Sequence, residues 1–190
     1  MHERQPVAGC RSAPECLFRR HPGGERGWAL SVATRGNGAR PAIRRIYPLE
    51  ELCMGCGLCE VACLVEHSRP RDAVKAYLRE RPAPLARLRV ERRDHLFLPV
   101  QCRHCPEPLC VYSCLTGALT RDPATGEVHV DEGRCIGCWT CILACPYGAI
   151  RRDLQRGLIA KCDLCPERAI PACVTACPNE AILCVEGEAP

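Results

Sequence analysis

The chain has 190 residues and 19 cysteines, one residue in ten, with an aromatic content of only 4%. So few aromatics exclude an ordinary enzyme core held by side-chain burial, and so much cysteine in a short chain leaves disulfide scaffolds or metal sites. The formal charge of +4 is lopsided, because Met1–Pro48 carries nine Arg against three Glu while Leu49–Pro190 carries 17 basic against 19 acidic groups.

Residues 1–45 are rich in Gly, Pro and Arg without a period. They read as a disordered leader, or as upstream sequence included by a misjudged start. From Ile46 the texture changes, and cysteines arrive in four clumps beginning at Cys53, Cys102, Cys135 and Cys162. The clumps form an internal repeat, each mostly loop with a short helical turn at its end. The insert Ser68–Gln101 predicts a helix over Asp72–Arg81, stopped by Pro82, and a strand around Leu88–Arg92. Gly117–Thr120 and Glu127–Val130 flank Arg121–Gly126, whose Asp, Pro and Gly predict a β-hairpin. Gly148–Ile150 with Leu158–Ala160 reads as a second pair, and Ala181–Leu183 as a closing strand.

The clumps are Cys53-x2-Cys56-x2-Cys59-x3-Cys63, Cys102-x2-Cys105-x4-Cys110-x3-Cys114, Cys135-x2-Cys138-x2-Cys141-x3-Cys145-Pro146 and Cys162-x2-Cys165-x7-Cys173-x3-Cys177-Pro178. The third matches the bacterial iron–sulfur run C-x2-C-x2-C-x3-C-P without a departure. Two-residue gaps let one loop curl around a cubane and present three thiolates, while the fourth cysteine reaches a neighbouring cluster. Such sites need soft thiolates, backbone N–H donors and an apolar shell. Ile136, Gly137, Trp139, Ile142 and Leu143 supply that shell at the third clump, and Met54, Gly55, Gly57 and Leu58 at the first. Structural zinc takes cysteines as two pairs in a tetrahedron, which the repeated triplets do not suit. Disulfides need an oxidising compartment; no signal peptide opens the chain, and the cysteine count is odd.

Cys10, Cys16 and Cys184 fall outside the pattern, the first two as bystanders and the third as a small packed thiol. His67 and His104 adjoin cluster loops, but every site already has four cysteines, so both read as structural or outer-shell groups. Trp139 and Tyr147 read as packing, and Arg92-Arg93 and Arg151-Arg152 as solvated faces. No P-loop occurs and no G-x-G-x-x-G follows a strand, so nothing marks a nucleotide or organic-substrate site. The longest uncharged run, Cys135–Ile150, is too short to cross a membrane, and cytoplasmic residence is the default expectation. Four oxidised cubanes with their thiolates would move the charge to about −4, which removes any argument for nucleic acid.

Arg45–Val185 resembles the four-cluster [4Fe-4S] ferredoxin family, the electron-transfer subunits of carbon monoxide dehydrogenase, formate dehydrogenase–hydrogenase and molybdopterin systems. The residues that carry the likeness are the four motifs, Leu98–Cys105, Cys145–Ile150 and Lys161–Cys165. Cys53–Glu60 with Glu66-His67-Ser68 looks closest to the carbon monoxide dehydrogenase-associated members. The resemblance implies an α+β fold of two interleaved ferredoxin-like modules with short β-hairpins and short helices, stabilised by clusters. The outer module would take residues 46–67 and 154–188, the inner module 102–153, with 68–101 as an insert. It implies four [4Fe-4S] clusters. One would be held by Cys53, Cys56, Cys59 and Cys177, and a second by Cys162, Cys165, Cys173 and Cys63. The inner pair would be held by Cys102, Cys105, Cys110 and Cys145, and by Cys135, Cys138, Cys141 and Cys114. Leu64 and Leu115 replace the Pro that often follows the fourth cysteine, which loosens those turns without removing a ligand.

The function expected is therefore a non-catalytic electron-transfer subunit of anaerobic metabolism. It would pass single electrons between a carbon monoxide dehydrogenase-like metalloenzyme and a second redox protein, a hydrogenase or a flavin/NAD oxidoreductase. The assembly expected is a hetero-oligomer without nucleic acid or direct membrane insertion, membrane-associated only through a partner. The alternatives are the iron–sulfur beta subunit of a molybdopterin oxidoreductase and, more remotely, a zinc-binding scaffold.

Overall fold

The computed structural model of the chain describes residues 43–187. In chain order these form β1 (Ile43–Pro48), a single 3-10 turn (Glu50–Leu52), α1 (Leu58–Glu66), α2 (Ala73–Arg79), β2 (Arg89–Arg93), β3 (Leu96–Val100), α3 (Leu109–Tyr112), β4 (Leu119–Arg121), β5 (Val128–Val130), α4 (Thr140–Ala144), β6 (Arg151–Asp153), β7 (Leu158–Ala160), α5 (Ala172–Thr175) and β8 (Ile182–Gly187). The strands pair as four separate antiparallel ladders, so the architecture is α+β with small sheets. Residues 1–42 of the expected leader, with Cys10 and Cys16, lie outside the described residues. Ile43, Arg44 and Arg45 open β1 instead of closing that leader.

Local chemistry accounts for most elements. Asp72 caps α2 by accepting from the Lys75 N–H at 2.8 Å, and Pro82 lies beyond its end. The β4–β5 turn is tied by Asp122, which accepts from the Ala124 N–H and the Thr125 hydroxyl. Its closing glycine, Gly126, sits at φ +65° and donates to the Asp122 carbonyl. The expected Gly148–Ile150 strand begins three residues later, at Arg151, because Gly148 is spent in a left-handed turn that returns its N–H to the Cys145 carbonyl.

Two pairings were not expected. β3 lies against β2 with Arg89 opposite Val100, and it accommodates Pro99 because a two-stranded ladder leaves an outer edge where no N–H is required. β1 lies against β8 with Ile46 opposite Cys184, which closes the two ends of the described chain on each other. Cys184, expected to follow the Ala181–Leu183 strand as a packed thiol, is half-buried and lies within β8, which runs on to Gly187.

The apolar interior is divided. One cluster gathers Ile46, Leu88, Leu164 and Ile182 around Cys59, Cys63, Cys162 and Cys173. The other gathers Leu119, Val128, Ile150 and Ile159 around Cys141, with Cys110, Cys114, Cys135 and Cys145 packed against it. Lys161 is only 3% exposed, and its Nζ donates to the carbonyls of Val128 and Cys162, one from each cluster. No helix among the described residues is long and apolar enough to cross a membrane.

Candidate metal centres

Backbone conformation repeats through all four clumps. The second residue after the leading cysteine is left-handed each time: Gly55 at φ +71°, His104 at +46°, Gly137 at +66° and Leu164 at +62°. A left-handed backbone costs a non-glycine residue about 1–2 kcal/mol, so His104 and Leu164 hold it against a real penalty. The turn brings the amide back toward the sulfur. The His104 and Leu164 N–H groups each lie 3.5 Å from the Sγ of the leading cysteine, Cys102 and Cys162. A second family of N–H···S contacts serves the trailing cysteines, where Ala149 donates to Cys145 Sγ at 3.4 Å and Ala181 to Cys177 Sγ at 3.2 Å.

The loops border hollows. One is lined by Cys53, Cys56, Cys59 and Cys177 with Val90, Pro99 and Ile182. Another is lined by Cys135, Cys138, Cys141 and Cys114 with Leu119, Trp139 and Ile159. Two further groupings are more deeply placed. Cys173 is within electrostatic reach of Cys162, Cys63 and Cys165, and Cys110 of Cys102, Cys145 and Cys105. Charge on one group also acts on the next: Cys59 on Cys173, Cys102 on Cys162, and Cys110 on Cys141. Among the described residues the two solvent-exposed cysteines, Cys56 and Cys138, belong to the two hollows at the ends of that series.

Burial pushes the Cys59, Cys110, Cys141 and Cys165 thiols up to about 11, and raises Cys162 and Cys173 as well. Thiols held this way do not ionise alone at neutral pH; a cation must supply the charge that burial withholds. At Cys114 burial also opposes ionisation, but N–H groups of Leu119, Thr116 and Ala118 outweigh it and the value falls.

A 4Fe-4S dicluster domain matches residues 93–186 of the chain, and a 4Fe-4S binding domain matches residues 50–66. An iron–sulfur protein of Rhodospirillum rubrum is 38% identical over 160 residues, covering 76% of this chain and 83% of that one. The electron transport protein HydN of Escherichia coli (strain K12) is 39% identical over 150 residues, covering 70% of this chain and 83% of HydN. The thiosulfate reductase electron transfer subunit PhsB of Salmonella typhi is 36% identical over 138 residues, covering 70% of each chain.

The chain belongs to the 4Fe-4S ferredoxin-type electron-transfer family. It is an iron–sulfur electron-transfer protein with an α+β, ferredoxin-like fold. As in other ferredoxins, the environment of each sulfur sets the chemistry, and here the side chains around the cysteines have distinct parts. His104 is 1% exposed; its Nδ1 accepts from the Val128 N–H at 2.9 Å, and burial followed by the nearby Lys161 and Arg45 lowers it to about 2. It is a neutral structural histidine. His67 is different. Its Nδ1 lies 2.7 Å from the Cys63 carbonyl and 3.6 Å from Cys63 Sγ, and its Nε2 lies 3.1 Å from Asp163 Oδ1. Trp139 and Tyr147 serve as faces for the guanidinium groups of Arg152, at 5.6 Å, and Arg103, at 4.5 Å. Arg92 and Arg93 are exposed, whereas Arg151 reaches inward to the Ala86 carbonyl at 2.8 Å and is not a solvated group.

Sequence reasoning missed the Asp163 cluster. Asp163 takes His67 on one oxygen and the Arg87 guanidinium on the other, and the Arg87 N–H donates to Cys63 Sγ at 3.2 Å. Arg87 comes from the insert, which carried no cysteine signal, so spacing alone had no means of placing it.

Proposed function

We propose that this ferredoxin-type chain is a non-catalytic wire of four [4Fe-4S] clusters, two in each of two interleaved modules. Residues 46–67 and 154–188 make the outer module, residues 102–153 the inner one, and 68–101 an insert. The ligand sets are Cys53, Cys56, Cys59 and Cys177; Cys162, Cys165, Cys173 and Cys63; Cys102, Cys105, Cys110 and Cys145; and Cys135, Cys138, Cys141 and Cys114. What supports this reading is that Cys177 lines one hollow with Cys53, Cys56 and Cys59, and Cys114 lines another with Cys135, Cys138 and Cys141, three from one clump and one from its partner clump.

The residues present fit such a group. Four soft sulfurs face each site, backbone N–H groups aim at several of them, and the walls are apolar. When bound, the clusters supply one-electron couples whose potentials follow sulfur hydrogen bonds, burial and nearby charge. The chain does the rest. Its αL turns aim amides at the thiolates, its two apolar clusters exclude water, and its cross-clump cysteines lock the two clumps of each module together. Adjacent sets share electrostatic contacts, so the order runs from the Cys53 set through the Cys162 and Cys102 sets to the Cys135 set. Exposed Cys56 and Cys138 mark the two ends where redox partners dock.

The partners proposed are a catalytic metalloenzyme of the carbon monoxide dehydrogenase type and a second redox protein, in a cytoplasmic hetero-oligomer. A second reading, a dedicated subunit of one oxidoreductase, is favoured by the similarity to the thiosulfate reductase electron transfer subunit. Anaerobic purification with iron, sulfide and partner analysis tests both. About sixteen irons per chain are expected; half that number removes the four-cluster wire. Nickel in a co-purifying subunit selects the first partner, and molybdenum or tungsten selects the second reading.

A further inference from the structure

Three of the four trailing cysteines are followed four residues later by alanine: Ala118 after Cys114, Ala149 after Cys145 and Ala181 after Cys177. In these three the chain turns sharply; the alanine amide returns to the sulfur at Cys145 and Cys177, and at Cys114 the amides of Leu119 and Thr116 act on the sulfur ahead of that of Ala118. The first clump breaks this rule. The position four residues after Cys63 is His67, and α1 runs through Cys63 to Glu66 without turning. The His67 N–H is therefore committed to the Cys63 carbonyl as a helix end, 3.2 Å away, and cannot serve the sulfur.

The side chain takes over. His67 Nδ1 faces both the Cys63 carbonyl, at 2.7 Å, and Cys63 Sγ, at 3.6 Å. A carbonyl oxygen has no hydrogen to give, so a contact of this length requires the hydrogen on Nδ1. That N–H is shared between oxygen and sulfur. Asp163 fixes the ring by holding Nε2 at 3.1 Å, and it is itself fixed by the Cys165 N–H at 3.2 Å and by the Arg87 guanidinium. Arg87 adds its own backbone N–H to the same sulfur at 3.2 Å. Cys63 thus faces two donors, both anchored by one carboxylate.

We propose that His67 is a side-chain hydrogen-bond donor to the Cys63 sulfur and a positioning residue that raises the reduction potential of the cluster Cys63 shares with Cys162, Cys165 and Cys173. This rests on the ligand set proposed above. A donor to sulfur stabilises the more negative, reduced state, so the potential rises. His104, next to a different cluster loop, makes no such contact, because its Nδ1 accepts an amide hydrogen instead of offering one.

The test is a potentiometric titration followed by EPR on anaerobically purified, iron-counted protein. His67→Leu removes the donor, and His67→Asn restores an N–H on the atom after Cγ, where histidine carries Nδ1. The result expected is one midpoint lowered in His67→Leu, the others in place, and a return toward wild type in His67→Asn. Unchanged midpoints at full iron content, or an asparagine variant that behaves like leucine, overturn the proposal. Should His67→Leu lose iron, pulsed EPR on the reduced wild type labelled with ¹⁵N-histidine decides. A ¹⁵N coupling that disappears in His67→Asn upholds the hydrogen bond, and no coupling overturns it. The wild-type iron count is read separately and bears on the four-cluster reading alone.

Discussion

Gly137 lies at the middle of the Cys135–Cys141 loop with φ +66°, and a Cβ built on it would come within 2.3 Å of the Gly157 carbonyl oxygen. Two penalties therefore meet at one position: a left-handed backbone, about 1–2 kcal/mol for alanine, and a backbone-on-backbone collision that no rotamer relieves. Gly57, at φ +74°, has nothing within 4 Å of such a Cβ and carries only the first penalty. Gly137→Ala is expected to lose the iron of one cluster, about a quarter of the total, while Gly57→Ala keeps its iron and loses about 1 kcal/mol of stability. Iron per chain and anaerobic denaturant midpoints read the two effects. Equal behaviour of the two variants would sink the claim that the Gly157 turn supports the cysteine loop. At this scale the sequence was informative about which residues matter and silent about how they are held. Cysteine spacing marks all sixteen candidate ligands, because the geometry of a cubane is written in short gaps. The cage of Arg87 and Asp163 over Cys63 joins residues 76 positions apart, and no local pattern encodes it.

Elements were legible where turn and cap chemistry is local, as at the Asp122–Gly126 turn and the Asp72 cap. They were illegible where a strand's partner is distant, as for β1 against β8, or where a proline disguised an edge strand, as in β3. Leu64 and Leu115, which occupy equivalent places after Cys63 and Cys114, show how one sequence departure takes two structural forms. Leu64 lies inside the nine-residue helix α1, whose turn-by-turn hydrogen bonds a proline would interrupt. Leu115 lies in a turn that already bends as at Pro146 and Pro178, and it is 73% exposed. Leu64→Pro is expected to cost about 3 kcal/mol or more by breaking α1. Leu115→Pro is expected to be neutral or to stabilise by about 0.4–1 kcal/mol, by restricting the unfolded chain. Anaerobic chemical denaturation of both variants checks this, and comparable losses would mean that the α1 extension is not what distinguishes the first clump.

Across the whole molecule the division of the apolar interior into two clusters raises the question of what couples them. The Arg151 guanidinium on the Ala86 carbonyl is one tie between them, and the buried Lys161 is another. Its ammonium donates to Val128, in one cluster, and to Cys162, in the other. The same charge acts on the Cys110 and Cys162 thiols, which belong to the two middle sets of the proposed series. Lys161→Met keeps the length and removes both donors, leaving two buried carbonyls unmatched, at a cost of about 1.5–3 kcal/mol. It also removes a buried cation that favours the reduced state of any cluster nearby. The expectation is a less stable protein in which two midpoints fall together, in contrast to the single midpoint expected for His67→Leu. Potentiometric titration of the two variants side by side separates a shared field from a local hydrogen bond. If Lys161→Met lowers stability and leaves every midpoint in place, the ammonium is a structural staple alone, and the two middle clusters take their potentials from the hydrogen bonds to sulfur.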